Sequence, residues 1–109
     1  YHERFADLDE LQLLGLAQGA EPVPIYSVVR FAARDRLQEH LEINGVQAKP
    51  HYDTHLHRDP VLADLGYKPG DFPVSEKACE TVLSLPCFPE MTEKQVETVV
   101  QAVRSFFKK

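Results

Sequence analysis

Three histidines stand within one short run, His51-Tyr52-Asp53-Thr54-His55-Leu56-His57. His51, Asp53, His55 and His57 alternate, so an extended strand would set all four on one face. Imidazole and carboxylate together suit zinc or a similar ion. Pro50 and Thr54 argue for loop rather than regular strand, and His2 and His40 are isolated, so no second group of ligands joins the run. Three readings follow: adventitious nickel or zinc binding, loop histidines held by hydrogen bonds and water, or a loop that lines a substrate pocket.

Arg30 closes an apolar run, where a guanidinium can clamp a phosphate or carboxylate or simply make an ion pair at a strand end. Cys79 and Cys87 share no metal-ligand spacing. They read as free thiols in a reduced compartment.

The elements that must position these residues alternate between helix and strand. Tyr1–Leu16 carries Phe5, Leu8, Leu11, Leu13, Leu14 and Leu16 and reads as the end of a helix with an irregular exit. Pro22 and Pro24 then impose extended backbone. Ile25–Phe31 is β-branched and aromatic, a strand. Arg34–Ile43 sets Leu37 and Leu41 on one face of a short helix, which Asn44-Gly45 ends. Val46–Lys49 reads as a second strand, stopped by Pro50. Residues 51–73 are loop-rich, with one helical turn at Val61–Leu65. Ser75–Thr81 reads as a helix with Ser75 near its N-cap, and Val82–Leu85 as a short strand stopped by Pro86. Thr92 and Gln95 form a capping box before the last helix. There Val96, Val99, Val100, Val103, Phe106 and Phe107 make a core-facing stripe, and Lys108-Lys109 suits the negative end of the helix dipole. The sum is an α+β fold, helices packed on a small, mostly antiparallel sheet.

Size and charge narrow the function. A chain of 109 residues is one domain with one core. The net charge is −5, and no basic run interleaves with aromatics, so nucleic acid is not an expected partner. No apolar stretch approaches the roughly 20 residues of a membrane span. Tyr1-His2-Glu3-Arg4 is not a signal peptide, and the absence of an initiator Met suggests a chain cut from something longer.

The ordered motifs carry more than any single residue. Val29-Arg30, Arg34-Asp35, Leu37, Gly45-Val46, His51-Tyr52, Leu56-His57 and Pro60 come first. Leu65-Gly66-Tyr67, Gly70-Asp71-Phe72-Pro73, Glu76, Leu83-Ser84-Leu85-Pro86 and Phe88-Pro89-Glu90-Met91-Thr92-Glu93 follow. In this order they resemble the C-terminal part of the DegT/DnrJ/EryC1/StrS family of pyridoxal-phosphate sugar aminotransferases. Asp53 and His55 stand where that family usually has prolines, and Asp59 where Gln is usual. The loop therefore loses two fixed φ angles and gains charge near the pocket.

The resemblance implies a reaction that this chain does not perform alone. Family enzymes hold pyridoxal phosphate on a lysine of a large N-terminal domain and pass an amino group, typically from glutamate, to a keto-sugar nucleotide. Lys49, Lys68, Lys77, Lys94, Lys108 and Lys109 all lack the family's Ser-x-Asn-x-x-Lys setting, and no glycine-rich phosphate cradle is present. Residues 1–109 are thus expected to be the small C-terminal domain, with no cofactor bound to it alone. Tyr1–Leu8 would be the cut end of the helix that joins the two domains. Implied partners are the missing large domain, a nucleotide-sugar substrate and, for the full enzyme, a second copy, in the cytoplasm. The substrate-side residues are His51 and Tyr52, then His57, with Arg30 as an anion clamp. Glu76 and Ser84 read as capping or backbone-bonding residues, and Phe72-Pro73 and Leu85-Pro86 as turn and packing elements. The competing reading is a non-catalytic interaction or metal-binding module built on the 51–57 histidines. An isolated small domain would also expose the partly apolar face meant for its partner.

Overall fold

A computed structural model describes residues 1–15 and 17–108. Three short strands, β1 (Gln12–Leu13), β2 (Ser27–Arg30) and β3 (Val82–Leu85), form an antiparallel sheet in the order β1-β2-β3. Three helices accompany it: α1 (Arg34–Ile43), α2 (Pro73–Thr81) and α3 (Glu93–Phe107). Short 3-10 helices occupy Leu56–Arg58, one turn, and Pro60–Leu65, two turns. This is the expected α+β architecture. No helix among the described residues is long and apolar enough to cross a membrane.

The core lies on one face of the sheet. Val29 pairs with Leu83 and Ser27 with Leu85. Residues directly opposed across an antiparallel pair share a face, so these positions point the same way. Val29, Leu83 and Leu85 are buried there with Leu37 and Leu41 of α1 and Val99, Val100 and Val103 of α3. Phe31 closes one end, edge-on to Phe106 and Phe107 at 5.6 and 5.1 Å between ring centroids. The opposite face carries Val28 and Arg30 on β2 and Val82 and Ser84 on β3.

Helix ends follow local chemistry. After α1, the Gly45 N–H donates to the Glu42 carbonyl (3.0 Å) and the Val46 N–H to the Leu41 carbonyl (2.9 Å). This is a Schellman closure, and Gly45 takes the φ of 76° that it needs. At α3 the Thr92 N–H donates to Gln95 Oε1 (2.8 Å) and the Gln95 N–H to Thr92 Oγ1 (3.3 Å), as the capping box requires. Lys108 follows α3 as its C-cap, while Leu16 and Lys109, both used in the sequence reading, lie outside the described residues.

Four expectations need correction. The first segment is no helix end. The Phe5 N–H reaches the Tyr1 carbonyl, but Leu8 reaches Phe5 and Leu11 reaches Leu8 in successive three-residue turns. These turns bury Phe5 and Leu11. They are tied to α3 by the ion pairs Arg4–Glu97 and Arg104–Asp7. The Tyr1 hydroxyl also donates to the Pro86 carbonyl at 2.9 Å, and burial, with Cys87 nearby, pushes this phenol up to about 12. Tertiary contacts thus override a helical spacing of apolar residues. They also draw Gln12–Leu13 into the sheet as β1, which the sequence reading did not anticipate.

Second, β2 begins at Ser27, not Ile25, because Ile25 and Tyr26 lie beyond the edge of β3 and are exposed. Third, Val46–Lys49 is not a strand. The Schellman closure consumes the Val46 N–H, and only Lys49 pairs with Ser84 as an isolated bridge before Pro50. Fourth, α2 starts at Pro73, with Phe72 as N-cap. Proline fits the first helical position because its missing N–H is not needed there, and Ser75 is the third residue of the helix.

Candidate functional site

Residues 51–57 form an arch rather than a strand. One foot rests on β3, where His51 Nδ1 lies 2.9 Å from Ser84 Oγ. The His51 ring lies nearly parallel to Tyr26, with centroids 4.0 Å apart. The other foot rests on α2, where His57 Nε2 lies 2.9 Å from Glu76 Oε1. His57 is packed against Phe72 at 4.9 Å, and Phe72 in turn meets Tyr67 at 5.0 Å. Its side chain is only 8% exposed. Between the feet, Tyr52 is 70% exposed and stands edge-on to His51. Asp53 is exposed and accepts a bond from Thr54 Oγ1 (3.3 Å), and the Thr54 carbonyl accepts one from Cys79 Sγ (3.4 Å). His55 Nε2 is buried without a hydrogen-bond partner.

The feet explain why the histidines do not converge on a metal. His51 and His57 are committed to different elements, and no strand forms between them. Among the described residues no group of three or more His, Cys, Asp or Glu side chains is placed to hold an ion.

Glu76 does more than the sequence suggests. Besides His57, it accepts the Gly70 N–H on both carboxylate oxygens, at 2.8 and 3.0 Å. The Gly70 amide, with His57 adding to it, holds the Glu76 carboxyl below its ordinary range against the opposing effect of burial. Its backbone-bonding role was legible. Its bond to His57, and that of Ser84 to His51, were not. Both residues stand at fixed places in the motif order, Glu76 after Gly-Asp-Phe-Pro and Ser84 inside Leu-Ser-Leu-Pro, and that was the only available signal. Tyr26 had none.

Arg30 shares the outer sheet face with Ser84, two positions along the ladder and so about 7 Å away. Its Nε donates to Thr81 Oγ1 at 3.3 Å, and among the described residues it makes no ion pair. It lines a separate recess of about 170 Å³ with Glu10 and Lys77. His51 and Tyr26 instead line one of about 300 Å³ with Lys49, Ser84 and Cys87. The lining of that recess includes no carboxylate to face a pyridinium nitrogen.

The chain is thus a small α+β domain carrying a loop held at both ends, on β3 and on α2. The DegT/DnrJ/EryC1/StrS aminotransferase family pattern matches residues 1–104, and the chain belongs to that family of pyridoxal-phosphate-dependent enzymes. It is 42% identical over 80 residues to a pleiotropic regulatory protein of Geobacillus stearothermophilus, covering 73% of this chain and 22% of that protein. It is 32% identical over 106 residues to the dTDP-3-amino-3,4,6-trideoxy-alpha-D-glucose transaminase of Streptomyces venezuelae, covering 97% and 28%. The crystal structure of S. venezuelae DesV in complex with a ketimine intermediate superposes with a TM-score of 0.95 at 31% identity. It covers all of this chain and 29% of that one. The chain thus spans between a fifth and a third of the length of these relatives.

Proposed function

We propose that this chain is the C-terminal small domain of a nucleotide-sugar aminotransferase and is inactive alone. In the whole enzyme it forms the substrate-side wall of the cleft, facing a large domain that holds pyridoxal phosphate on its lysine. The amino group passes from glutamate to a keto-deoxy sugar nucleotide. The whole enzyme is a cytoplasmic homodimer.

The observation that carries this reading is the 51–57 arch, with Tyr52 raised on a fixed loop beside His51. Tyr52 offers a hydroxyl and a ring face to a sugar. His51, locked through Nδ1, leaves Nε2 for a hydroxyl or phosphate oxygen. Arg30 supplies a guanidinium with only its Nε engaged by a side chain, suited to an anionic group. His57 stands behind these groups, as a support for the loop more than as a direct contact. The division of labour also accounts for the apolar groove of about 540 Å³ beside Leu14, Pro22, Pro24, Tyr26 and Val28. We assign it to the large domain, since clefts at domain junctions are common substrate sites.

The test is to mix the purified chain with pyridoxal phosphate, reduce with borohydride and measure intact mass. No stable cofactor band and no specific adduct are expected. A stoichiometric adduct on one lysine would overturn the assignment. Adding a separately produced large domain should restore transamination, and Tyr52→Ala should then weaken the acceptor sugar nucleotide selectively.

A further inference from the structure

We propose that Glu76 is a positioning residue for the acceptor substrate: it fixes the second foot of the 51–57 arch through His57 without touching the substrate itself. The inference rests on the reading of this arch as the substrate wall.

Three separate pieces of chain meet at this one carboxylate. His57 brings the end of the arch, the Gly70 amide brings the turn before α2, and Glu76 itself belongs to the first turn of α2. A carboxylate is favoured at that place by the helix dipole as well. The side chain is 15% exposed, so it is mostly withdrawn from solvent and from any ligand above the loop. Its chemistry is spent on backbone and imidazole. An ionised carboxylate only accepts hydrogen bonds, so His57 must carry a proton on Nε2 to meet it.

The consequence concerns Tyr52. Residues 52–56 span the gap between His51, held at Ser84 on β3, and His57, held at Glu76 on α2. Because α2 runs directly into β3, both feet stand on one continuous unit, and the span between them is set by that unit. Beyond its local turn bonds from the Arg58 and Asp59 amides, the tie of this span among the described residues is the Cys79 Sγ bond to the Thr54 carbonyl. Releasing one foot lets the span drift while His51 stays bound to Ser84. An amino-acid donor carries no sugar or nucleotide for the arch to hold, so the donor half-reaction serves as the internal control.

The experiment uses the whole aminotransferase that carries this segment, with each half-reaction followed separately. Glu76→Ala is expected to raise the KM for the keto-sugar nucleotide about tenfold while the donor half-reaction stays within about twofold. Glu76→Gln keeps one oxygen that can accept from both His57 and Gly70, and should stay within about threefold of the parent. His57→Ala should match Glu76→Ala, and the double variant should be no worse than the poorer single one. In parallel, ¹⁵N NMR should find the proton of neutral His57 on Nε2, and this preference should fade in Glu76→Ala.

An unchanged acceptor KM in a folded Glu76→Ala variant overturns the proposal. So does an equal loss in both half-reactions with a falling melting temperature, which would mark a merely structural residue. Should Glu76→Ala fail to fold, His57→Ala leaves α2 intact and decides by the same criterion. If His51→Ala and Tyr52→Ala raise the acceptor KM but Glu76→Ala and His57→Ala do not, the positioning role alone fails. If none of the four does, the reading of the arch as the substrate wall fails with it.

Discussion

His51 Nδ1 sits 2.9 Å from Ser84 Oγ, a residue that is itself 5% exposed and central in β3. The hydroxyl is thereby a buried peg for the first foot of a loop whose Tyr52, Asp53 and Thr54 face solvent. Ser84 also exchanges both of its backbone bonds with Lys49, at 2.8 and 3.2 Å, and stands opposite Val28 in the ladder. Little slack remains in the peg, so the imidazole inherits the rigidity of the sheet.

Removing the hydroxyl should therefore free the ring without disturbing the sheet. Ser84→Ala is expected to cost about 1 kcal/mol of stability, the net worth of one such hydrogen bond. In the whole enzyme it should weaken acceptor binding, while Ser84→Thr retains the hydroxyl. Urea denaturation and acceptor KM together check this. A wild-type KM in Ser84→Ala would mean that the Tyr26 stack alone holds His51.

The α1–α3 layer should be intolerant of lost volume. Leu41 is fully buried beneath the Schellman closure. Leu41→Ala removes buried methyl groups and leaves a cavity, costing about 2–5 kcal/mol. The chemical-denaturation midpoint should fall sharply. A loss below about 1 kcal/mol would show that the layer collapses to fill the space.

At the start of α3, Thr92→Ala should cost about 1 kcal/mol, because the Gln95 N–H loses the hydroxyl that accepts it, while the Thr92 N–H keeps Gln95 Oε1. Thr92→Ser should recover most of it. Amide exchange at Gln95 should speed up in the alanine variant, and an unchanged rate would place the stabilisation elsewhere.

The first segment should loosen in acid at a defined point. Arg104 donates to both oxygens of Asp7, at 2.8 and 2.6 Å, and these bonds pull its carboxyl down from 3.8 to about 2. The folded value lies below the unfolded one. The stabilisation from this pair is therefore fully present above the unfolded pKa and is lost as pH falls through the folded value of about 2. The pair is exposed, so its contribution at neutral pH is small and weakens further with salt. An NMR titration should place the Asp7 midpoint near 2, and Arg104→Leu should return it to the ordinary carboxylate range.

What the sequence alone determined is local. The α1 boundaries, β3, the α3 cap and the αL glycine after α1 follow from apolar spacing, one capping box and one glycine, all decided within a few residues. The motif order from Val29 to Glu93 identified the family and pointed to residues 51–57. Tertiary structure decided the rest. It turned Tyr1–Leu11 into packed turns by burying Phe5 and Leu11 in the core, recruited Gln12–Leu13 as a strand, and left Val46–Lys49 with a single bridge. It also chose the partners of the histidines. Ser84 is far from His51 in the chain, as Glu76 is from His57, and no periodicity relates them. A hydrogen bond between side chains so separated exists only once β3 and α2 have been brought beside the loop.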